Sequence, residues 1–449
     1  MKLEKLLTTI LFLSVGFILL FNIFTYDPIQ GYDAEAHHEY VNNFFSIFIP
    51  GKSQLLPHEL TREFFSPPLP YLFPAVIASI CRDLVPKESL PDSCNEIFSY
   101  STQVFQSIMF VFVIFIYLLS FQKLSKGKLL NFNVLITFSI LTVNYKAFSM
   151  IRGEPYIILF LSLLIYRLII LFQNSFNYEK KDILYFGAII GCLALSRQWA
   201  FLIFPAIFLI VFFINEKKIE YFKFISYSFA VGFLISSWFY FYLFLTYGSF
   251  TTFNANPKSF SFSNQDLSFY FSSFESFRTM FIKPIRPNFK NELIPILYSD
   301  VWGDYWGYFS FTSRSLDTGR NQMLIGDYLA RVNIASLVPT FLFLLSTFKC
   351  FKIFKNKTKK DIEYIKLFNL LGIITTFIGF LWFLIKFPDP VAGDTIKAVY
   401  VIQLFYFMAF LSTDYLNNLR KKSFTKYRYV IISLIFVFIH NFSAMLNHF

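Results

Sequence analysis

The chain has 449 residues, of which 55% are hydrophobic, 22% aromatic and only 15% charged; so little polar surface excludes a water-soluble globule of this size. The net charge of +12 would ordinarily raise nucleic acid as a partner. Most Lys and Arg, however, lie in short connections between apolar runs, as the positive-inside rule and anionic lipid require, and this placement excludes it.

Lys2 and Lys5 precede an apolar run from Leu6 to Tyr26. The run exceeds the ~7–15 residues of a signal-peptide core, and no small-x-small cleavage site follows, so a retained first span is expected. A span needs ~20 apolar residues at about 1.5 Å each to cross ~30 Å of hydrocarbon. On that measure the predicted spans are 6–26, 103–122, 131–148, 155–173, 183–198, 199–215, 224–247, 329–349, 365–386, 396–413 and 429–447. The stretch 183–215 reads as a helical hairpin broken around Arg197-Gln198. Leu69–Cys81 reaches only about 20 Å, and Pro67, Pro68, Pro70 and Pro74 break its opening.

Loop charge decides whether 69–81 crosses. If it does not, and the N-terminus is cytoplasmic, the inside connections hold Lys123, Lys126 and Lys128; Lys180 and Lys181; Lys217, Lys218 and Lys223; the seven lysines from Lys349 to Lys366; and Arg420, Lys421, Lys422, Lys426 and Arg428. With Lys2 and Lys5 these are 22 of the 40 basic residues. The short outside connections hold only Arg152, Arg197, Lys386 and Lys397. A crossing at 69–81 would invert every later loop and break the rule along the whole chain. The expectation is an all-α membrane protein, one polytopic domain over 1–449 with about 11 transmembrane helices, N-terminus inside and C-terminus outside. Two large extracytoplasmic loops, 27–102 and 248–328, follow, and 69–81 would lie along or dip into the interface with irregular backbone. Cys81 and Cys94 then share an oxidising loop in which they can pair. Four Cys lack metal-ligand spacing, and Cys192 and Cys350 are expected reduced.

The first outer loop opens with Gly31-Tyr32-Asp33-Ala34-Glu35-Ala36-His37-His38-Glu39-Tyr40. In a helix, Asp33 and His37 would share one face, as would Glu35 and Glu39. A solvated juxtamembrane helix with Asp33 as N-cap is one reading. The other, favoured by the position of this acid–His cluster directly after a span, is chemistry. No H-E-x-x-H occurs, which excludes a zinc protease of that kind, although Asp33 and His37 offer oxygen and imidazole ligands to a divalent ion. Thr61-Arg62-Glu63 then leads through Phe64-Phe65-Ser66 into Pro67-Pro68-Leu69-Pro70-Tyr71.

Later ionisable residues gather at the outer ends of spans: Lys146, Arg152 and Glu154, then Arg197 beside Gln198 and Trp199. In Pro388-Asp389-Pro390-Val391-Ala392-Gly393-Asp394-Thr395-Ile396-Lys397, Asp394 is expected to cap the tenth span and Lys397 to occupy its first turn, a ready phosphate site. Arg197 and Lys397 both defy the charge rule, which favours function over snorkelling to headgroups. Tyr298-Ser299-Asp300-Val301-Trp302-Gly303-Asp304-Tyr305-Trp306-Gly307-Tyr308 suits carbohydrate stacking and an interfacial aromatic belt equally. Residues 266–282 read as an interfacial helix.

The order of these motifs resembles the GT-C superfamily of polytopic glycosyltransferases, chiefly family-39-like members and dolichyl-phosphate-glucose glucosyltransferases. The resemblance rests on the Asp/Glu–His cluster, R-E-x-x-x-P-P-L-x-Y from Arg62, S-R-Q at Ser196, and G-D-x-I-K-A-x-Y from Gly393. Many members carry adjacent acidic residues in the first motif, whereas Ala34 separates Asp33 from Glu35 here. The resemblance implies a polyprenyl-phosphate sugar donor, a lipid, glycan or protein acceptor, inversion, and a bacterial plasma membrane with the active site on the extracytoplasmic face. It implies catalytic roles for Asp33, Glu35 and His37, and phosphate contacts for Arg152, Arg197 and Lys397. Arg62, Glu63, Trp302, Asp304, Trp306 and Asp394 would then touch sugar or acceptor. No particular cofactor is implied, and a divalent metal at Asp33 and His37 stays an open alternative. A transporter or flippase is the rival, although such proteins place ionisable groups near mid-membrane and repeat their spans. A polysaccharide polymerase or ligase, or a scaffold, are further alternatives. On this reading Asp33→Asn and Arg197→Ala each abolish transfer in membranes given a radiolabelled polyprenyl-phosphate sugar, with protein levels intact; full activity in both would remove the site.

Overall fold

The computed structural model describes residues 2–29, 31, 33–49, 51–84, 92–125, 127, 129–214, 216–253, 255–286, 288–310, 320–355, 361–391 and 393–447. Tyr32 and Ala392 of the motifs above, and Lys126, Lys128, Lys357, Lys359 and Lys360 of the basic connections, lie outside them. The secondary structure of the described residues is helical, with no strand, the rest being turns and loops.

In chain order, α1 (Lys2–Thr25) is followed by α2 (Ala34–Phe48), the single turn α3 (Pro57–Leu60), α4 (Leu69–Leu84) and the long α5 (Asp92–Leu124). Two short helices, α6 (Leu130–Ser139) and α7 (Thr142–Ser149), lead to α8 (Glu154–Gln173), α9 (Lys180–Ser196), a 3-10 turn at Gln198–Leu202, α10 (Phe204–Leu209) and α11 (Lys218–Tyr247). The next loop holds α12 (Leu267–Tyr270), α13 (Phe274–Thr279) and α14 (Leu293–Trp302) before α15 (Arg320–Ala335), α16 (Leu337–Cys350), α17 (Asp361–Lys386), α18 (Ile402–Lys422) and α19 (Phe424–His440).

Among the described residues, seven helices are long and apolar enough to cross a membrane: Glu4–Thr25, Cys94–Leu124, Glu154–Gln173, Lys218–Tyr247, Gly326–Lys355, Asp361–Lys386 and Ala398–Lys422. The other four expected spans fold as shorter pieces. The stretch 131–148 breaks between α6 and α7, where the Asn144 amide donates to the Phe138 carbonyl (2.6 Å) and the Tyr145 hydroxyl to that of Ser139 (2.8 Å). These bonds satisfy carbonyls that the break would otherwise orphan. Of the 183–215 hairpin, α9 is helical to Ser196, whereas its second arm mixes 3-10 and α turns around Pro205. The last stretch ends as a helix at His440. Two further expectations change. Leu69–Leu84 is a continuous helix: Pro70 sits in its first turn, where no backbone N–H is needed, and Pro74 is carried inside it. Residues 266–282 form two short helices rather than one.

The spans are joined by polar contacts as well as packing. Asn133 receives a bond from the Tyr427 hydroxyl (2.7 Å) and donates to Asn417 (2.7 Å), while Thr137 meets Thr413 and Ser346 meets Ser412. In hydrocarbon such groups must find partners within the protein. Cys81 and Cys94 form a disulfide with a Cα–Cα separation of 5.7 Å, tying α4 to α5, while Cys192 and Cys350 are free thiols. The basic runs sit at one set of helix ends: the last turns of α5 and α18 and the first turns of α9 and α11. The opposite ends of two of them, the C-terminal end of α9 at Arg197 and the entry to α18 at Lys397–Tyr400, line the cleft described below.

Helices α9 and α11 meet along a stripe of glycines. A Cβ added at Gly187 would meet Val231 Cβ at 2.6 Å and the Ser228 carbonyl oxygen at 2.7 Å, and one at Gly191 would meet Ile235 at 2.8 Å. This spacing lets two backbones approach as in small-xxx-small pairs. Gly187→Leu is therefore expected to destabilise by about 1–3 kcal/mol through overpacking, read as a lower thermal midpoint of the detergent-solubilised protein. An unchanged midpoint would contradict the seam.

Candidate functional site

Helix α9 stops at Ser196, and Arg197 adopts an extended backbone (φ −164°, ψ 150°) before the 3-10 turn begins. Its buried guanidinium gathers three segments. Nη1 lies 2.8 Å from Glu63 Oε2, donates to Ser66 Oγ and sits 3.5 Å from the Tyr71 hydroxyl. Nε lies 3.6 Å from Glu154 Oε1, and the other Glu154 oxygen is 3.2 Å from Arg152 Nε. The Ser66 hydroxyl in turn donates to Glu63. Gly153 makes the approach feasible, since a Cβ there would fall 2.2 Å from the Ser196 carbonyl oxygen.

Asp33 occupies the N-cap position of α2 with a left-handed backbone (φ 53°, ψ 23°), yet its side chain makes no cap bond. Asp tolerates this conformation better than most residues. Freed from capping, Oδ2 lies 3.4 Å from Lys397 Nζ. Lys397 is clamped from both neighbours. The Trp306 indole N–H donates to the Ile396 carbonyl (3.1 Å), and the Ala398 N–H donates to Asp300 Oδ2 (2.7 Å). Asp300 is itself buried and ion-paired with Lys146. Asp300 takes the Ala398 N–H, so that donor at the expected phosphate site is already engaged. Asp394 caps nothing and instead pairs with Arg286 at 3.6 Å.

These groups line one cleft with a cavity volume of about 240 Å³. Asp33, Glu63, Arg197, Trp306, Asp394 and Lys397 all face it, joined by Arg286, Ser66, Gln198 and Tyr400. Its apolar walls include Phe253, Phe383 and Trp199, the last stacked on Tyr400 at 4.9 Å. Six candidates lie elsewhere. Glu35 and Arg62 are exposed and off the cleft. His37 is buried behind Glu63 in a 2.7 Å hydrogen bond with Tyr71. Arg152 is buried with Glu154. Trp302 packs against Phe343, and Asp304 accepts backbone N–H bonds from Tyr308 (3.2 Å), Phe309 (2.8 Å) and Ser310 (2.8 Å), so a turn consumes its carboxylate. Arg286 was missed, although it shares the signal of Arg197 and Lys397: a cation on the side opposite the basic connections.

Burial pushes the carboxyls upward, but cations outweigh it. Lys397 above all brings Asp33 down to about 2, and Arg197 brings Glu63 down to about 2. Burial holds His37 neutral by lowering it to about 3. A divalent metal does not fit. Lys397 occupies the Asp33 oxygen, His37 lies off the cleft, and among the described residues no group of three or more His, Cys, Asp or Glu side chains is placed to hold a metal ion. The sequence matches no family model, and comparison with curated proteins returns no match.

Acid sensitivity follows with a definite sign. His37 is kept neutral by the fold, so it costs stability as pH falls from the ordinary imidazole range near 6.5 toward about 3. Asp33 and Glu63 act in the same direction, their contribution being lost as pH falls from ordinary carboxyl values toward about 2. His37→Gln should flatten the upper part of the thermal-midpoint curve between about pH 6.5 and 4.5. An unaltered slope would show that His37 does not titrate as the fold requires.

Proposed function

We propose that the protein is a GT-C-type glycosyltransferase, moving a sugar from a polyprenyl-phosphate donor to a lipid, glycan or protein hydroxyl with inversion. One observation carries this reading: Asp33, from the head of the chain, shares a single cleft with Arg197 and Lys397 from far downstream. The shorter apolar pieces α6–α7, α9, residues 198–213 and α19, counted as crossings beside the seven long helices, give the eleven spans of this reading. The Cys81–Cys94 disulfide supports an oxidising, extracytoplasmic compartment for the cleft side, and the basic runs at the opposite helix ends support a bacterial plasma membrane orientation with those runs inside.

In the proposed step the acceptor oxygen forms a bond to the anomeric carbon as the bond from that carbon to the phosphate oxygen breaks. The polyprenyl phosphate leaves with the electron pair. The acceptor proton passes to Asp33 and then to solvent. A carboxyl held at about 2 is a weak base, so Asp33 orients the hydroxyl and takes the proton late, once bond formation has acidified it. Lys397, beside Asp33, balances charge developing on the phosphate. Arg197 lines the same wall with its charge already balanced by Glu63 and Glu154. The clustering of ionisable groups at one end of the bundle disfavours the transporter alternative, whose sites lie near mid-membrane.

Asp33→Asn should lower transfer from a radiolabelled polyprenyl-phosphate sugar by at least about 100-fold while immunoblotted membrane levels hold, since Asn suits the same backbone. Wild-type rates would dismiss Asp33 as the base. The expectation for Arg197→Ala changes: buried Glu63 would lose its cation and Glu154 would keep only Arg152, at a cost of about 3–5 kcal/mol, so its membrane level should fall together with activity.

A further inference from the structure

We infer that Arg286 is the exchangeable anion anchor of the cleft, holding Asp394 until a phosphate group takes that carboxylate's place. This rests on the reading of the cleft as a phosphate site but needs no sugar transfer.

Among the described residues three cations line the cleft, and each faces a carboxylate. Their availability differs sharply. The Arg197–Glu63 pair is 2.8 Å apart with both side chains about 5% exposed. Lys397 is 11% exposed and lies against Asp33 at 3.4 Å. The Arg286–Asp394 pair is the longest at 3.6 Å, with side chains 37% and 54% exposed. Removing a carboxylate from a buried pair strands a charge in apolar surroundings, whereas a hydrated pair is held weakly. An incoming anion therefore displaces Asp394 most cheaply, and Asp394 rehydrates where it stands.

The cation stays in position when that exchange occurs. The Arg286 guanidinium lies over the Trp306 ring, 5.3 Å from its centroid, and the Arg286 backbone is fixed by its main-chain N–H donating to the Tyr305 carbonyl at 2.9 Å. The edge of the same indole is bonded to the Ile396 carbonyl, next to Lys397. One aromatic ring thus sets Arg286 and Lys397 relative to each other across the cleft mouth. Asp394, by contrast, is seated independently. Its N–H donates to the Asp389 carboxylate at 2.9 Å, in a turn that Gly393 closes with φ +68°. Loss of the Arg286 contact therefore leaves the turn intact. A guanidinium fork matches two phosphate oxygens, a better partner than a single carboxylate oxygen at 3.6 Å. The ligand class is a phosphate monoester or inorganic phosphate.

The test uses the full chain in nanodiscs, titrated calorimetrically with a short-chain polyprenyl phosphate and, separately, with inorganic phosphate. Arg286→Ala should weaken binding about tenfold or more, and Arg286→Lys should restore part of it. Asp394→Asn should tighten binding roughly two- to fivefold by removing the competitor. The opposite signs separate ligand exchange from a structural ion pair, which would make both variants weaken binding alike. Binding of the polyprenyl ester alone identifies a lipid headgroup, and binding of both probes identifies phosphate itself; either supports the anchor. Unchanged affinity in Arg286→Ala, weaker binding in Asp394→Asn, or no binding of either probe by the wild type would overturn it. Should the exchange behave as described while no sugar is transferred, the transferase reading fails and the anchor stands.

Discussion

A guanidinium cannot be left in an apolar interior without partners, and that constraint organises the cleft end of this bundle. Arg197 is buried where a helix stops, so its charge must be met on the spot. It is met by Glu63 from the segment between α3 and α4, Glu154 from the start of α8, and the hydroxyls of Ser66 and Tyr71. Segments far apart in sequence are thereby drawn to one point. The disulfide between α4 and α5 and the packing of α2 on α4 hold the remaining wall.

Among the described residues, the carboxylates and cations of the cleft are matched one to one. Asp33, Glu63 and Asp394 face Lys397, Arg197 and Arg286 respectively. On the proposed transferase reading, a cleft balanced in this way repels neither a neutral hydroxyl nor a lipid-borne anion, and each would compete with a resident partner. Burial grades that competition, from the sealed Arg197 pair to the hydrated Arg286 pair.

Much of this was legible in the amino-acid sequence, for identifiable reasons. Apolar length revealed the long spans, because a hydrocarbon layer admits few alternatives. The breach of the charge rule by Arg197 and Lys397 picked out two cleft cations. Pattern failed where a side chain's partner is decided by tertiary contact. His37 shares a helical face with Asp33, yet its imidazole turns to Tyr71 rather than the cleft. Asp304 looked like a sugar ligand among aromatics, but the turn that follows consumes both its oxygens. Asp394 looked like a helix cap, but the span begins later and Arg286 claims it. The break inside 131–148 was hidden as well, since Asn144 and Tyr145 repair it through bonds that no periodicity announces.

The absence of room at Gly153 has a wider implication. The Arg152-Gly153-Glu154 and Ser196-Arg197-Gln198 triplets abut so closely that the backbone of one fills the place of a side chain in the other. They behave as a single word written in two halves. A larger residue at the centre of the first would pry the second away from Glu154, so neither half can drift alone. Distant chains sharing this architecture are therefore better sought by the two triplets jointly, each at the head or tail of an apolar run, than by either alone.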